Sequence, residues 1–202
     1  MTKRFGMTNA TQIQFEKGED SWRLQTLNGK NWQQFENDIL RIESESYESA
    51  RQCPPSLLAQ VACDPAGISL VVSQGERIAG FCLAAPLEVF PDVLGTQMDS
   101  HWGARNSLYA VDLTVSIGFR GMGLGKLLKY QQLRHARIQR YRYVAGRNRV
   151  GLAQSMIRIN FSFGAKKLFL LKGAYRDNLV PDIALYYRID VNGQNKYHEP
   201  QI

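Results

Sequence analysis

Residues 110–138 read AVDLTVSIGFRGMGLGKLLKYQQLRHARI, and this stretch decides the fold. A run rich in β-branched residues, SLYAVDLTV (107–115), predicts a strand. Three alternating glycines follow, Gly121, Gly123 and Gly125, and then a segment with Leu124, Leu127, Leu128, Gln131, His135 and Ile138 along one side. That spacing predicts an amphipathic helix, with Lys126, Lys129, Arg134 and Arg137 mostly on its wet side. Consecutive main-chain N–H groups at the start of a helix, reinforced by its dipole, form an anion site, and glycines let the chain approach a ligand closely.

Spacing decides among the familiar phosphate loops. A dinucleotide fingerprint G-x-G-x-x-G counted from Gly121 puts Lys126 where the third glycine belongs, and residues 138–150 contain no acid for a ribose. A G-x-x-x-x-G-K-[S/T] loop ending on Gly125-Lys126 puts Arg120 at its first glycine and Leu127 at its hydroxyl position. Both fail. What remains is a strand, a short connection, and Arg120-x-x-Gly123-x-Gly125 opening a helix.

That pattern, with Leu113-Thr114-Val115 just upstream, resembles the GNAT family of N-acetyltransferases. The resemblance extends over about residues 20–190, and its specific part is 111–128. It implies that acetyl-CoA binds as co-substrate. The loop Arg120, Gly121, Met122, Gly123, Leu124, Gly125 and Lys126 would take its pyrophosphate, and Leu113, Thr114 and Val115 would lie along its pantetheine arm. A second patch, SMIRINFSFGA (155–165), resembles a later helix of the family that ends in a glycine turn. Many members carry a tyrosine there as acid for the departing thiolate; this chain has Asn160, four residues after Met156. Asparagine can hydrogen-bond the coenzyme but has no proton to give near neutral pH. Asn160 is therefore expected at the coenzyme and the reacting centre, with the proton coming from water or from a tyrosine elsewhere; Tyr47, Tyr186 and Tyr187 are candidates.

Such a reaction needs a base, because an alkylammonium must lose a proton before it attacks, and a main-chain N–H for the oxyanion, here that of Val115. Asp112 is the candidate base or amine anchor. Alternation along the strand would place Asp112 and Thr114 on one face and Val111, Leu113 and Val115 on the other. The segment ENDILRIESESYESARQ holds Glu36, Asp38, Glu43, Glu45 and Glu48, read either as a wall that draws in a cationic amine or as a solvated helix face. No His or Cys spacing suggests a metal ligand set, so no metal is expected.

The surrounding sequence fits one domain. Residues 1–20 read as a loose arm and 21–202 as one acetyltransferase-like domain. A strand near Trp22–Leu27, a helix through Trp32, Phe35, Ile39 and Ile42, and a second helix after Pro54-Pro55 with Ser56 as cap lead into the strands ISLVV and RIAGFCLAA. After residue 138 come YRYVAG as strand, a helix closed by Gly164, and the strands KKLFLLKGAYR and IALYYRIDV. The order is α/β, a mixed and mostly antiparallel sheet flanked by helices.

Composition sets the outer limits. With 44% hydrophobic and 21% charged residues the 202-residue chain can bury a core. Three cysteines without a C-x-x-C pair argue against a disulfide framework. No stretch has the apolar length of a membrane span or signal peptide, so a cytoplasmic protein without membrane contact is expected. A net charge of +7 and the basic run KLLKYQQLRHARIQRYRYVAGRNR leave a nucleic-acid-binding module as a weaker alternative. The other alternative is a non-catalytic acyl-CoA-binding domain of the same fold. The acceptor is expected to be the amine of a small molecule or of a protein, and a homodimer stays open.

Overall fold

A computed structural model describes residues 6–7, 12–17, 20–175 and 177–193. Among them the chain forms a nine-stranded sheet in the order β1-β2-β3-β4-β5-β6-β7-β9-β8. The strands are β1 (Gly6–Met7), β2 (Gln12–Lys17), β3 (Asp20–Leu27), β4 (Ser69–Gln74), β5 (Arg77–Pro86), β6 (Ser107–Val115), β7 (Tyr143–Arg149), β8 (Lys166–Lys172) and β9 (Ile183–Asp190). Four helices complete it: α1 (Trp32–Ser46), α2 (Pro55–Cys63), α3 (Leu124–Ile138) and α4 (Gln154–Ser162). Every pairing is antiparallel except β6 with β7, which run parallel across the α3 crossover. The expected mixed sheet is therefore present. The arm expected to be loose differs: Gln12–Lys17 adds a strand to β3, with Phe15 opposite Trp22 and stacked against it. The rest of residues 1–11 and 18–19 lies outside the description, apart from Gly6–Met7.

The sheet separates two apolar cores. On one face α3 and α4 cover Trp22, Leu24, Leu70, Cys82 and Leu108; on the other α1 and α2 cover Val71, Phe81, Leu83 and Tyr109. β5 is buried on both faces, which explains its unbroken apolar run IAGFCLAA and the burial of Cys82. α2 begins directly at Pro55, whose fixed φ suits a first helical position; Ser56 is already inside the helix and does not cap it. Gly164 does close α4. Its φ is +75°, and the bonds from Gly164 N to Phe161 O (3.0 Å) and Ala165 N to Asn160 O (3.1 Å) complete the turn. No described helix is long and apolar enough to cross a membrane.

α3 departs from its expected sides. Lys129 is only 1% exposed, with Nζ donating to Gln132 Oε1 at 2.8 Å, while Ile138 is 65% exposed. Burial pulls the Lys129 ammonium down to about 8.

Two irregularities in β6 shape the centre of the sheet. Leu83 pairs with Asp112 and Ala84 with Ala110, so Val111 is an extra residue, a bulge. Pairing with β7 ends at Ala110 and Gly146, although β6 runs on to Val115 and β7 to Arg149. Beyond that point the two parallel strands part as a fork.

One arm of the fork is held by a glycine. At Gly80 an added Cβ would stand 2.7 Å from Thr114 O and 3.2 Å from Val115 Cα, contacts with backbone that no rotamer relieves. Gly80→Ala is expected to lower unfolding stability by about 1–3 kcal/mol, read by denaturant titration; a loss below about 0.5 kcal/mol would contradict the close approach.

Candidate functional site

The glycine loop forms at the mouth of the fork. After β6 a 3-10 turn (Ile117–Phe119) leads to Gly121 and Gly123, both at positive φ (+80° and +81°), which glycine alone adopts without strain. Gly123 is the residue from which α3 starts, and its carbonyl accepts from Lys126 N and Leu127 N at 3.1 Å. The amides of Leu124 and Gly125 precede these bonds and point out of the helix start. Gly121 and Lys126 are exposed, whereas the Leu124 side chain is buried and Met122 packs on the core, so those two offer the loop backbone alone. Gly125 sits where a Cβ would touch Ile159, Leu113 and Val115, which brings the helix start against β6 and α4. Residues 120–126 thus form a main-chain-lined cradle that is exposed at Arg120, Gly121, Gly123 and Lys126.

Leu113 and Val115 present main chain to the fork. Ser116 N bonds Ala79 O at 2.9 Å, and in an antiparallel ladder the hydrogen-bonding direction alternates. The peptide groups of Leu113 and Val115, paired with Cys82 and Gly80, therefore turn away from β5 and toward β7. Arg120 Nε donates to Val115 O at 3.1 Å, spanning from the loop to the strand end.

The opposite face carries the titratable groups. The bulge corrects the expected alternation: Val111 packs on the α1 side, the same side as Asp112 and Thr114, while Leu113 and Val115 pack on the α3 side. Thr114 is thus separated from the loop by the sheet. Its hydroxyl donates to Asp112 Oδ1 (2.8 Å) and meets the Tyr47 hydroxyl at 2.7 Å, and Tyr47 also approaches Asp112 Oδ1 at 3.5 Å.

Beside them stands Glu43. It is 3% exposed, unlike Asp38 and Glu45 on the same helix, which pair with Arg41 in solvent. Its Oε1 accepts from Cys53 N at 2.7 Å. Glu43 Oε2 and Asp112 Oδ2 are both buried, and among the described residues no third group donates to either. One proton held by Glu43 and donated to Asp112 satisfies the two oxygens together. Burial and the Asp112 charge push the Glu43 carboxyl up to about 9, and burial raises Asp112 as well. The Cys53 thiol belongs to the same group: one donor atom each from Glu43, Cys53 and Asp112 lies within 4.8 Å of the others. Burial pushes that thiol well above its ordinary range, so it stays protonated, which suits a proton-holding cluster. Glu43 was visible in the sequence only as one acid among five on the segment.

Asn160 is on the other side of the sheet from these acids. It is 0% exposed, and its Nδ2 donates to Asn148 Oδ1 on β7 at 2.8 Å, beneath α4 rather than at the glycine loop. Tyr187 of β9 faces it; a Cβ on Gly146 would lie 2.6 Å from the Tyr187 hydroxyl, so that phenol stands at the apex of the fork. Burial raises Tyr187, keeping it a phenol at neutral pH. Tyr186, by contrast, points to the α1 side and donates to Asp99 Oδ2 at 3.2 Å, far in role from a proton donor at the fork.

Residues 32–150 match the model of the family described as the acetyltransferase (GNAT) family. Among solved structures, the ribosomal-protein-S18-alanine N-acetyltransferase from Escherichia coli superposes with a TM-score of 0.64 at 14% identity, over 88% of this chain and 99% of that one. Ard1 from Thermoplasma volcanium gives 0.65 at 17% identity, over 85% and 99%. The GphF GNAT-like decarboxylase in complex with isobutyryl-CoA gives 0.64 at 16% identity, over 78% and 95%. No match was found among curated protein sequences. At these identities the solved structures establish the fold alone.

The Glu43 proton has a measurable consequence. The folded protein holds it from pH about 4.5, where an ordinary glutamate loses it, up to about 9. The folded state binds more protons than the unfolded chain across that window, so wild-type stability falls as pH rises through it. Glu43→Gln keeps a donor to Asp112 and has no proton to lose. Its melting temperature relative to wild type is expected to climb between pH 5 and pH 9, by the equivalent of about 1–3 kcal/mol. A difference that stays flat with pH would refute the shared proton.

Proposed function

Because the chain belongs to the acetyltransferase (GNAT) family, we propose that it moves an acetyl group from acetyl-CoA to a primary amine by direct attack. The observation that carries this reading is the fork: β6 and β7 cease to pair after Ala110 and Gly146 while the glycine cradle opens on one side and the carboxyl pair on the other. An extended acyl-thioester arm needs such a gap, with main-chain groups to pair with along one edge. The structure of the GNAT-like decarboxylase with isobutyryl-CoA supports an acyl-coenzyme A in a fold of this kind.

The cradle suits the diphosphate. The amides from Gly121 to Gly125 take its oxygens, and Arg120 and Lys126 add charge at exposed positions. Leu113 and Val115 pair through their main chain with the pantetheine arm. The coenzyme brings a thioester carbonyl that an amine nitrogen can attack. Val115 N–H donates a hydrogen bond to that carbonyl oxygen as negative charge grows on it. Asp112 removes the amine proton, with Thr114 and Tyr47 fixing its Oδ1. As the C–N bond forms, the C–S bond breaks. The thiolate takes its proton from the Tyr187 hydroxyl, which Asn160 orients in the space that Gly146 leaves open at the apex. In this reading the phenol comes from β9, and Asn160 on α4 orients it rather than acting as acid.

Free-thiol release from acetyl-CoA across a library of primary amines tests the transfer. Gly123→Glu puts a carboxylate and a strained left-handed residue into the cradle. Its coenzyme affinity by calorimetry is expected to fall by at least about a hundredfold, with the melting temperature lowered only by a few degrees. Unchanged affinity in a folded variant would remove the cradle from the mechanism.

A further inference from the structure

Four of the five acids expected to draw in a cationic acceptor are already engaged, Glu43 among them through Cys53 N. Asp38 and Glu45 pair with Arg41, and Glu48 pairs with Arg51 at 3.0 Å. Three arginines gather beyond the fork on the α1 side. Arg51 lies 5.0 Å over the Tyr47 ring, and Arg147 and Arg149 lie 4.7 and 4.1 Å over the Tyr175 ring. Arg149 is neutralised by a buried ion pair with Asp177. Arg147 is not: its Nη1 donates to the Ala174 carbonyl at 3.0 Å, and among the described residues it makes no ion pair.

Arg147 is also the first residue after Gly146, where β7 leaves β6. Ala110 and Gly146 form the last pair of β6 and β7, so Asp112 and Arg147 follow it on the two facing arms of the fork, both on the α1 side. Arg147 lines a cavity of about 470 Å³ together with Val93, Leu94, Met98 and Tyr175, with Asp92 also in the wall. That volume is of small-molecule size.

We infer that the acceptor is a small amino acid, whose amine reaches Asp112 while its carboxylate is held by the Arg147 guanidinium in this cavity. The inference rests on the transferase reading and names the acceptor class of that site. The chemistry follows from the charges. A planar guanidinium with free donors matches a carboxylate in a two-bond fork, and a partly buried arginine without an anion is incompletely satisfied. The stacked Tyr175 ring and the Ala174 carbonyl hold the guanidinium plane in one orientation beforehand, which lowers the ordering cost of binding. A polyamine offers Arg147 only repulsion. Apolar side chains in the cavity wall suit an acceptor with an apolar side chain.

The test compares each of the twenty amino acids with its own carboxamide as acceptor for acetyl-CoA, with rates corrected for the free-base fraction and spermidine included. For the preferred amino acid, kcat/KM is expected to exceed that of its amide by about 10–100-fold, the worth of one charged hydrogen-bonded contact. In Arg147→Gln that ratio falls to about one, which a purely structural role for Arg147 would not produce. A wild-type ratio near one for every pair, or spermidine outrunning every amino acid, overturns the inference and leaves amine transfer standing. Calorimetry with the N-acetyl amino acids and their amides, in the presence of coenzyme A, reads the cavity without turnover. Carboxylate-dependent binding lost in Arg147→Gln, with no transfer to any amine, keeps the carboxylate site and overturns the transferase reading. Neither binding nor transfer overturns the inference.

Discussion

The whole arrangement depends on two parallel strands that stop bonding to each other halfway along. Closing a sheet costs nothing in ligand space, because each N–H finds a C=O; leaving it open in the middle exposes polar backbone where the fold is thickest. Here the opening is prepared on both arms. The Val111 bulge turns the upper half of β6, and Gly80 lets that half lie close on β5 rather than drift toward β7. On β7 the Tyr187 hydroxyl occupies the space above Gly146, a position that admits no side chain. The gap is thus a property of packed neighbours, not of loop mobility.

The same opening divides chemistry between faces. The glycine turn opens at the start of α3, and the main-chain groups of Leu113 and Val115 point in the plane of the sheet into the gap toward β7. The buried acids and their hydroxyl and thiol neighbours collect on the α1 side, where Glu43, Cys53, Tyr47 and Thr114 surround Asp112, while the Tyr187 phenol lies on the α3 side. The fork is where something bound on one side can meet something bound on the other. A carboxyl pair holding one proton fits this setting, because it places a single negative charge at the passage at a lower desolvation cost than two.

How much of this could be read from the residues alone varies with the kind of constraint. The glycine turn was legible because a positive φ has a residue signature, and the strand and helix around it have their own periods. Asp112 was legible as an acid inside an apolar run. Its neighbours were not, since a bulge leaves no mark in a single sequence; alternation put Val111 on the wrong face. Glu43 could not be told from Glu45, two residues on, because only the approach of β6 distinguishes a buried acid from a wet one. Lys129 misled for the same reason: a lysine on a basic helix reads as surface until the packing around it is seen. Asn160 was found by resemblance, yet its partner, Tyr187, comes from a strand 27 residues further along, and pairs formed by β9 are invisible to local spacing.

The parted strands also bear on how the interior meets water. Leu113 and Val115 lie in the sixth of the nine described strands, with three strands between them and the nearer sheet edge, yet their amides face a gap instead of a partner. Their hydrogens should trade with deuterium at the pace of a rim strand while those of β5, one strand away, stay locked until the molecule unfolds. A guest chain laid in the gap would be the missing strand, and it would silence that exchange at the centre without any change in the surrounding scaffold.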